Sequence, residues 1–408
     1  MPVFKVAALD KTGEVRTFFY DNQTSSLTNE DGTACDLSHL GVEKKALGAY
    51  TSPVEMQGKT TKLKRLRIQL GLSCNYSCDY CSQRFVPHAD ATNPSDVPAF
   101  MEALPRWFDG GTDGLGAGVK VELWGGEPFV YWKTMKPLAE ALRARYPNIS
   151  FLVITNGSLL DEKKNAWLDE MGFAVGVSHD GPGQHVRGPD PLENPEQRAA
   201  IMDLFRRLHP QGRMSFNFVL NGSNTSRKAV YEFFRDLTGV DNVPLGEGTL
   251  LDAYDDGGLS NSLATGASLQ AFAVQAFNEI VSDLGLNKVS IVNNQVAEFI
   301  HSIVDGRPAA MLDQKCSMNR SDNIAVDLNG NVLTCQNVSP VSVAPNGKLH
   351  HIGHVNDLAN AVPVTARHWS KRDYCTQCPV LQLCKGSCMF LEGKLWDASC
   401  DNSFADNI

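Results

Sequence analysis

Three cysteines stand within eight residues, in the run Cys74-Asn-Tyr-Ser-Cys78-Asp-Tyr-Cys81. Thiolates at this C-x3-C-x2-C spacing reach three corners of one [4Fe–4S] cube and leave the fourth iron without a protein ligand. Zinc is the alternative, but a structural zinc site takes four ligands, and the nearest further donor is His88. A gap of more than 230 residues follows, and then a second array. It runs Cys316-x13-Gly330-x4-Cys335, then Cys375-x2-Cys378-x5-Cys384-x3-Cys388-x11-Cys400. Read in isolation, its close-spaced members suit zinc knuckles as well as clusters. The two sets use ten of the eleven cysteines and leave Cys35, which reads as an ordinary thiol.

The composition frames these thiols. No export signal precedes them, since MPVFKVAALDKTGEV meets charge too early for a signal-peptide apolar region. The expected location is therefore the cytoplasm, where thiols stay reduced and clustered cysteines bind metal or do redox chemistry. Apolar residues make up 42% of the 408 and charged residues 20%, as in a soluble protein with a core of two or three domains. No stretch approaches the roughly 20 apolar residues of a membrane helix. Net charge is −9 with a pI near 5.6, and no basic run is present, which argues against a nucleic-acid partner.

The elements that must position the cysteines alternate between strand and helix from about residue 64. Strands are expected at LRIQLGL, VKVELW (119–124), ISFLVITN (149–156), FAVGVSHDG (173–181) and MSFNFVL (214–220). Helices are expected at 95–109, 133–145, 161–171, 194–208 and 226–237, then at 267–285 and 292–304. This pattern predicts an α/β fold with a parallel sheet, a partial barrel of about six β/α units rather than the eight of a full one. Ligand sites in such folds gather at the C-terminal strand ends. The first cysteine cluster, Gly125-Gly126-Glu127, Thr155-Asn156-Gly157 and Ser178-His179-Asp180-Gly181 all fall there. Residues 1–61 read as a small β-rich extension opening on a hairpin, 62–240 as the core, and 241–305 as a linker with bridging helices. Within that linker, 241–265 reads as a connecting loop. Residues 306–408 read as a cysteine-rich domain with one hairpin around Asn329-Gly330 that needs metal to hold it together.

Cys74 to Cys81 after a strand resembles the signature of the radical S-adenosylmethionine (SAM) superfamily, and Gly125-Gly126-Glu127-Pro128, about 45 residues later, resembles its GGEP motif. The resemblance implies a partial (β/α)6 TIM-like barrel. It implies further that the open iron binds SAM, that the reduced cluster cleaves it, and that the resulting 5′-deoxyadenosyl radical takes a hydrogen atom from the substrate. It implies an external low-potential electron donor of flavodoxin or ferredoxin type. Tyr80 matches the aromatic position near the adenine; its bland reading is a packing aromatic. The glycines admit close backbone approach, and Glu127 accepts from an ammonium. Asn156 and Ser178 match positions resembling SAM carboxylate and ribose contacts, and Asn217 is expected on the same cavity. Arg187 or Arg198 is expected to pair with the SAM carboxylate, against a solvated surface charge as the bland reading. His179 and His185 read as structural histidines, and Asp180 as a cap of the following turn.

The second array resembles the SPASM extension of that superfamily. By this resemblance Cys316, Cys335 and Cys388 hold a nearer auxiliary [4Fe–4S] cluster, and Cys375, Cys378, Cys384 and Cys400 a farther one. Seven thiols leave one iron over, for which Asp313, Asp322 or a substrate atom is available. Gln336 stands where sulfatase-maturing members carry an aspartate base, and it cannot take a proton at neutral pH. The implied function is radical modification of a peptide or protein. A small-molecule substrate (sugar, nucleoside or amino acid) is the alternative within that chemistry, and a non-catalytic iron–sulfur or zinc scaffold or electron carrier the alternative outside it.

Overall fold

The computed structural model describes residues 3–9, 12–47, 56–84, 86–88, 92–107, 118–263, 266–284, 290–344, 347–363 and 367–408. The chain opens with an antiparallel sheet of β1 (Val3–Leu9), β2 (Val15–Asp21) and β3 (Ser26–Asn29). Val3 pairs with Asp21 and Leu9 with Val15, which is the expected hairpin.

A nine-stranded sheet carries the rest. Six strands run parallel and adjacent in chain order: β4 (Arg65–Gln69), β5 (Lys120–Trp124), β6 (Ser150–Thr155), β7 (Phe173–Ser178), β8 (Met214–Leu220) and β9 (Leu245–Leu250). The crossovers contain α1 (Asp96–Trp107), α2 (Trp132–Arg145), α3 (Glu162–Glu170), α4 (Pro195–Leu208) and α5 (Arg227–Thr238). Their starts follow from local chemistry. Asp161 accepts from Lys164 N–H, Asn194 from Glu196 and Gln197 N–H with Pro195 next, and Ser226 from Ala229 N–H. The last two residues of the expected helix 95–109, and the last of 267–285, lie outside the described residues.

The sheet does not close; its edges are β9 and β12 (His351–His354). One difference from expectation stands out. β9 lies within the stretch expected to be loop, because the two glycines of LGEGTL mask an edge strand whose Leu245 and Leu250 are buried. The cysteine-rich segment is also joined to the main sheet. β10 (Asn323–Asp327) is buried along its whole length and pairs parallel with β4, then turns at Asn329-Gly330 into β11 (Asn331–Leu333), which pairs with β12.

Alternation along the strands sorts residues between two faces. Leu66, Ile68, Val121, Leu123, Phe216 and Phe218 belong to the apolar core that the helices cover. The other face is polar: Arg67 donates from Nε to Glu122 Oε2 at 2.7 Å and from a terminal nitrogen to Asn323 Oδ1 at 3.0 Å. At the far edge the helix Gly393–Asn407 is fastened to β9. Arg227, fully buried, donates to Gly248 O at 3.0 Å and pairs with Asp406. Removing one partner of a buried pair strands the other charge, so Asp406→Ala is expected to lower unfolding free energy by about 3–5 kcal/mol. Denaturant titration checks this; a change below about 0.5 kcal/mol would show that the pair does not fasten the C-terminal helix.

Candidate active site

The cysteine loop and the Gly-Gly-Glu segment are built as one unit. Leu70 N–H donates to Trp124 O at 2.7 Å, Gly126 N–H to Gly71 O at 3.0 Å and Glu127 N–H to Ser73 O at 3.0 Å. A Cβ on Gly126 would stand 2.3 Å from Leu72 O and 2.4 Å from Ser73 O. Gly126 therefore admits the close approach of the neighbouring chain. Glu127 likewise faces inward. Its Oε1 accepts from Phe129 N–H at 3.1 Å and Thr155 Oγ1 at 2.8 Å, and its Oε2 from Asn156 N–H at 2.8 Å. Burial raises its pKa, and these donors oppose the rise. The Asn156 amide donates to Asn75 Oδ1 at 2.9 Å, tying the next strand end to the cysteine loop.

Cys74, Cys78 and Cys81 open on a cavity of about 430 Å3, also lined by Tyr80, Gly125, Gly126, Glu127, Pro128, Asn156, Ser178 and Arg187. Two expected residues are not on its wall. Asn217 sits deeper on the same strand as Val219, with its Oδ1 accepting from Ser215 Oγ at 2.9 Å, and Arg198 is exposed on α4. Arg187 is the arginine at the cavity. It donates to Tyr80 Oη at 2.7 Å and to Asp180 Oδ1 at 3.4 Å, and its guanidinium lies 5.8 Å from the Tyr80 ring centroid. Tyr80 Oη in turn donates to Asp180 Oδ2. Asp180 makes no side-chain cap bond, so its expected role as a turn cap gives way to an ion pair. His179 is structural, as expected: Nδ1 accepts from Gly181 N–H at 3.0 Å and Nε2 meets Asp190 Oδ1 at 2.9 Å. His185 is exposed, 3.2 Å from Ser223 Oγ.

The lining also includes residues that the sequence did not single out: Thr249 to Asp252, Tyr254 and Asn337. Asp252 Oδ1 accepts from Ser399 Oγ at 2.5 Å and Ser387 Oγ at 3.4 Å, and Tyr254 and Cys388 pack against the same apolar cluster of the C-terminal segment. These residues form no motif, and only the fold brings them to the cavity.

Beyond them the C-terminal thiols fall into two groups. Burial pushes Cys335 up to about 12, and its neighbours Cys316 and Cys388 add to the rise. Burial likewise pushes Cys375 up to about 12, with Cys384, Cys400 and Cys378 contributing, and these four line a second cavity of about 480 Å3. Asp313 and Asp322 are both engaged by Arg320, at 3.1 Å and 2.7 Å. Gln336 lies beside its own Cys335, with Oε1 3.4 Å from the sulfur, and is not on the wall of the first cavity.

The donor sets fit iron–sulfur groups. At the first group burial pushes Cys78 up to about 12, and Cys81 and Cys74 add to it while Arg187 opposes. Clustered, desolvated thiols become thiolates only beside compensating positive charge, which a metal group supplies. Backbone N–H groups already point at sulfur: Tyr76 to Cys74 at 3.3 Å, Gln83 to Cys81 at 3.4 Å and Asn337 to Cys335 at 3.5 Å. Among the described residues no three His, Cys, Asp or Glu side chains converge closely enough for a single metal ion. A cube, whose ligands attach at separate corners, does not require that convergence.

Residues 68–234 match the family model of the Radical SAM superfamily. The chain carries a radical SAM domain. It reaches from β4 to α5 and contains the first three cysteines, Gly125 to Pro128, Asn156, Ser178, Arg187 and Asn217. The radical SAM cyclopropyl synthase TigE of Paramaledivibacter caminithermalis is 20% identical over 356 residues, 80% of this chain and 68% of TigE. The structure of native anSMEcpe with bound AdoMet and Cp18Cys peptide aligns with a TM-score of 0.57 at 19% identity, over 83% of this chain and 95% of that one. The same protein with Kp18Cys peptide gives 0.56 at 18%, over 83% and 96%. These two likenesses are of fold. No helix among the described residues is long and apolar enough to cross a membrane.

Gly126→Ala in the radical SAM domain forces the two backbones apart at a cost of about 1–3 kcal/mol. Less iron should be retained per chain after anaerobic reconstitution than in the wild type. Equal iron in both proteins would mean that the loop tolerates the separation.

Proposed function

We propose that the chain is a radical SAM enzyme that modifies a peptide or protein and uses two auxiliary [4Fe–4S] clusters of SPASM type. In this reading Cys74, Cys78 and Cys81 hold the SAM-binding cluster. Cys316, Cys335 and Cys388 hold the nearer auxiliary cluster, and Cys375, Cys378, Cys384 and Cys400 the farther one. The observation that carries the proposal is a single cavity lined both by the first cysteines with Gly125 to Glu127 and by Asp252 and Tyr254, which contact the C-terminal thiol region.

When bound and reduced, the first cluster supplies reductive cleavage of SAM to a 5′-deoxyadenosyl radical that takes hydrogen from the substrate. The electron comes from an external low-potential flavodoxin or ferredoxin. The chain's own residues bind and orient. Arg187 offers a fixed positive charge to the SAM carboxylate, Tyr80 a ring to its adenine, and Asn156 and Ser178 polar edges to the rest. Of the two acidic residues on the cavity wall, Glu127 is engaged by three donors, whereas Asp252 Oδ2 has no hydrogen bond among the described residues. Asp252 therefore suits a substrate N–H or O–H, the kind of donor a peptide carries in every residue. The peptide reading also draws on anSMEcpe, whose structures contain the Cp18Cys and Kp18Cys peptides, and TigE is named a radical SAM enzyme. A pure electron carrier would have no use for a three-thiol site facing a cavity.

The test is anaerobic reconstitution, SAM and a strong reductant, with 5′-deoxyadenosine as the readout. Wild type should form it, and the Cys74→Ala, Cys78→Ala and Cys81→Ala variants should not. Cys375→Ala or Cys384→Ala should keep uncoupled cleavage but lose the mass change on a co-expressed peptide. Wild type with full iron and no 5′-deoxyadenosine would sink the enzymatic reading.

A further inference from the structure

Asp180 is fully buried and does not line the cavity, yet three of the residues that do line it are held by its carboxylate. Tyr80, from the cysteine loop, donates its hydroxyl to Oδ2. Arg187, at the end of the turn after β7, donates to Oδ1 at 3.4 Å. Val219 of β8 donates its backbone N–H to Oδ1 at 3.1 Å. The same arginine nitrogen that meets Asp180 also donates to Tyr80 Oη at 2.7 Å, so the three side chains form a closed triangle. The Arg187 Nε, by contrast, is buried and has no protein partner. An orphaned guanidinium donor at a cavity wall asks for an acceptor from a ligand.

We propose that Asp180 is a positioning residue for SAM, acting through Arg187 and Tyr80 rather than by contact. This rests on the reading of the cavity as the SAM site. A guanidinium has a planar fork of donors, and its use against a carboxylate depends on that plane being fixed. Asp180 fixes one corner of the fork and leaves the remaining donors for the ligand. It also keeps the Tyr80 hydroxyl turned back toward β8, so that the ring is held rather than free to rotate. Without the carboxylate, a buried arginine would lack its counter-charge and turn toward other acceptors, Tyr80 would lose its acceptor, and both SAM-facing groups would be displaced together.

The experiment uses the reconstituted full chain as wild type, Asp180→Asn, Tyr80→Phe and the double variant. Iron per chain, the SAM dissociation constant from equilibrium dialysis with labelled SAM, and the SAM-induced change in the electron paramagnetic resonance spectrum of the reduced protein are measured. Asp180→Asn should weaken SAM about tenfold or more at unchanged iron, and should alter the SAM-induced spectral change. Tyr80→Phe, which keeps the Asp180–Arg187 pair, should weaken it less, and the double variant should be no weaker than Asp180→Asn alone, because the hydroxyl acts through the same carboxylate. An affinity for Asp180→Asn within about twofold of wild type at equal iron, or additive losses in the double variant, overturns the proposal. If Asp180→Asn does not retain iron, Tyr80→Phe decides: unchanged SAM affinity overturns the proposal, and a measurable loss supports it. Wild type with full iron and no SAM binding would instead overturn the SAM reading of the cavity, and the proposal with it.

Discussion

Two backbone hydrogen bonds, from Gly126 N–H to Gly71 O and from Glu127 N–H to Ser73 O, fix where the rest of the site must lie. They join the ends of adjacent parallel strands just where a loop of three thiols begins. A side chain at position 126 would collide with that loop, and loss of the Glu127 carboxylate would take away the acceptor of Asn156 N–H and Thr155 Oγ1. The carboxylate therefore links β5, β6 and the cysteine loop at the C-terminal end of the sheet. From there Asn156 reaches Asn75 and Asp180 reaches Tyr80, so each strand end adds one tie to the same loop.

This arrangement concentrates buried sulfur. Thiols withdrawn from water and placed beside one another hold their protons, which is why Cys78, Cys335, Cys375 and Cys400 all rise to about 12. Without a metal such groups stay as neutral thiols, since ionising any one is opposed by burial and by its neighbours. Metal binding exchanges those protons for positive charge and couples folding of the loops to the metal. The strand β10 gives the segment between Cys316 and Cys335 an anchor of its own, by pairing with β4.

Much of this was legible in the sequence because it is local. Cysteine spacing is set within a few residues, and the helices announce themselves through apolar periodicity and caps such as Asn194-Pro195 and Ser226. Asn329-Gly330 marks its hairpin, with Gly330 at φ 84°. What depended on distant partners was not legible. β9 was hidden by glycines that an edge strand tolerates, and with it went the wall of Asp252 and Tyr254. Asp180 looked like a turn residue because its partners lie 100 residues upstream at Tyr80, 7 downstream at Arg187 and 39 downstream at Val219. Glycines 125 and 126 were recognised by type, but what they make room for could be seen only once β4 and β5 were side by side.

The central claim is that ten cysteines from two distant parts of the chain hold three separate iron–sulfur cubes, with three of the cysteines at the first cavity and four at the second. Native mass spectrometry of the anaerobically reconstituted full chain tests it directly. The account predicts a dominant species carrying the mass of three [4Fe–4S] units. A dominant species with one such unit, and zinc on the C-terminal cysteines, would contradict it.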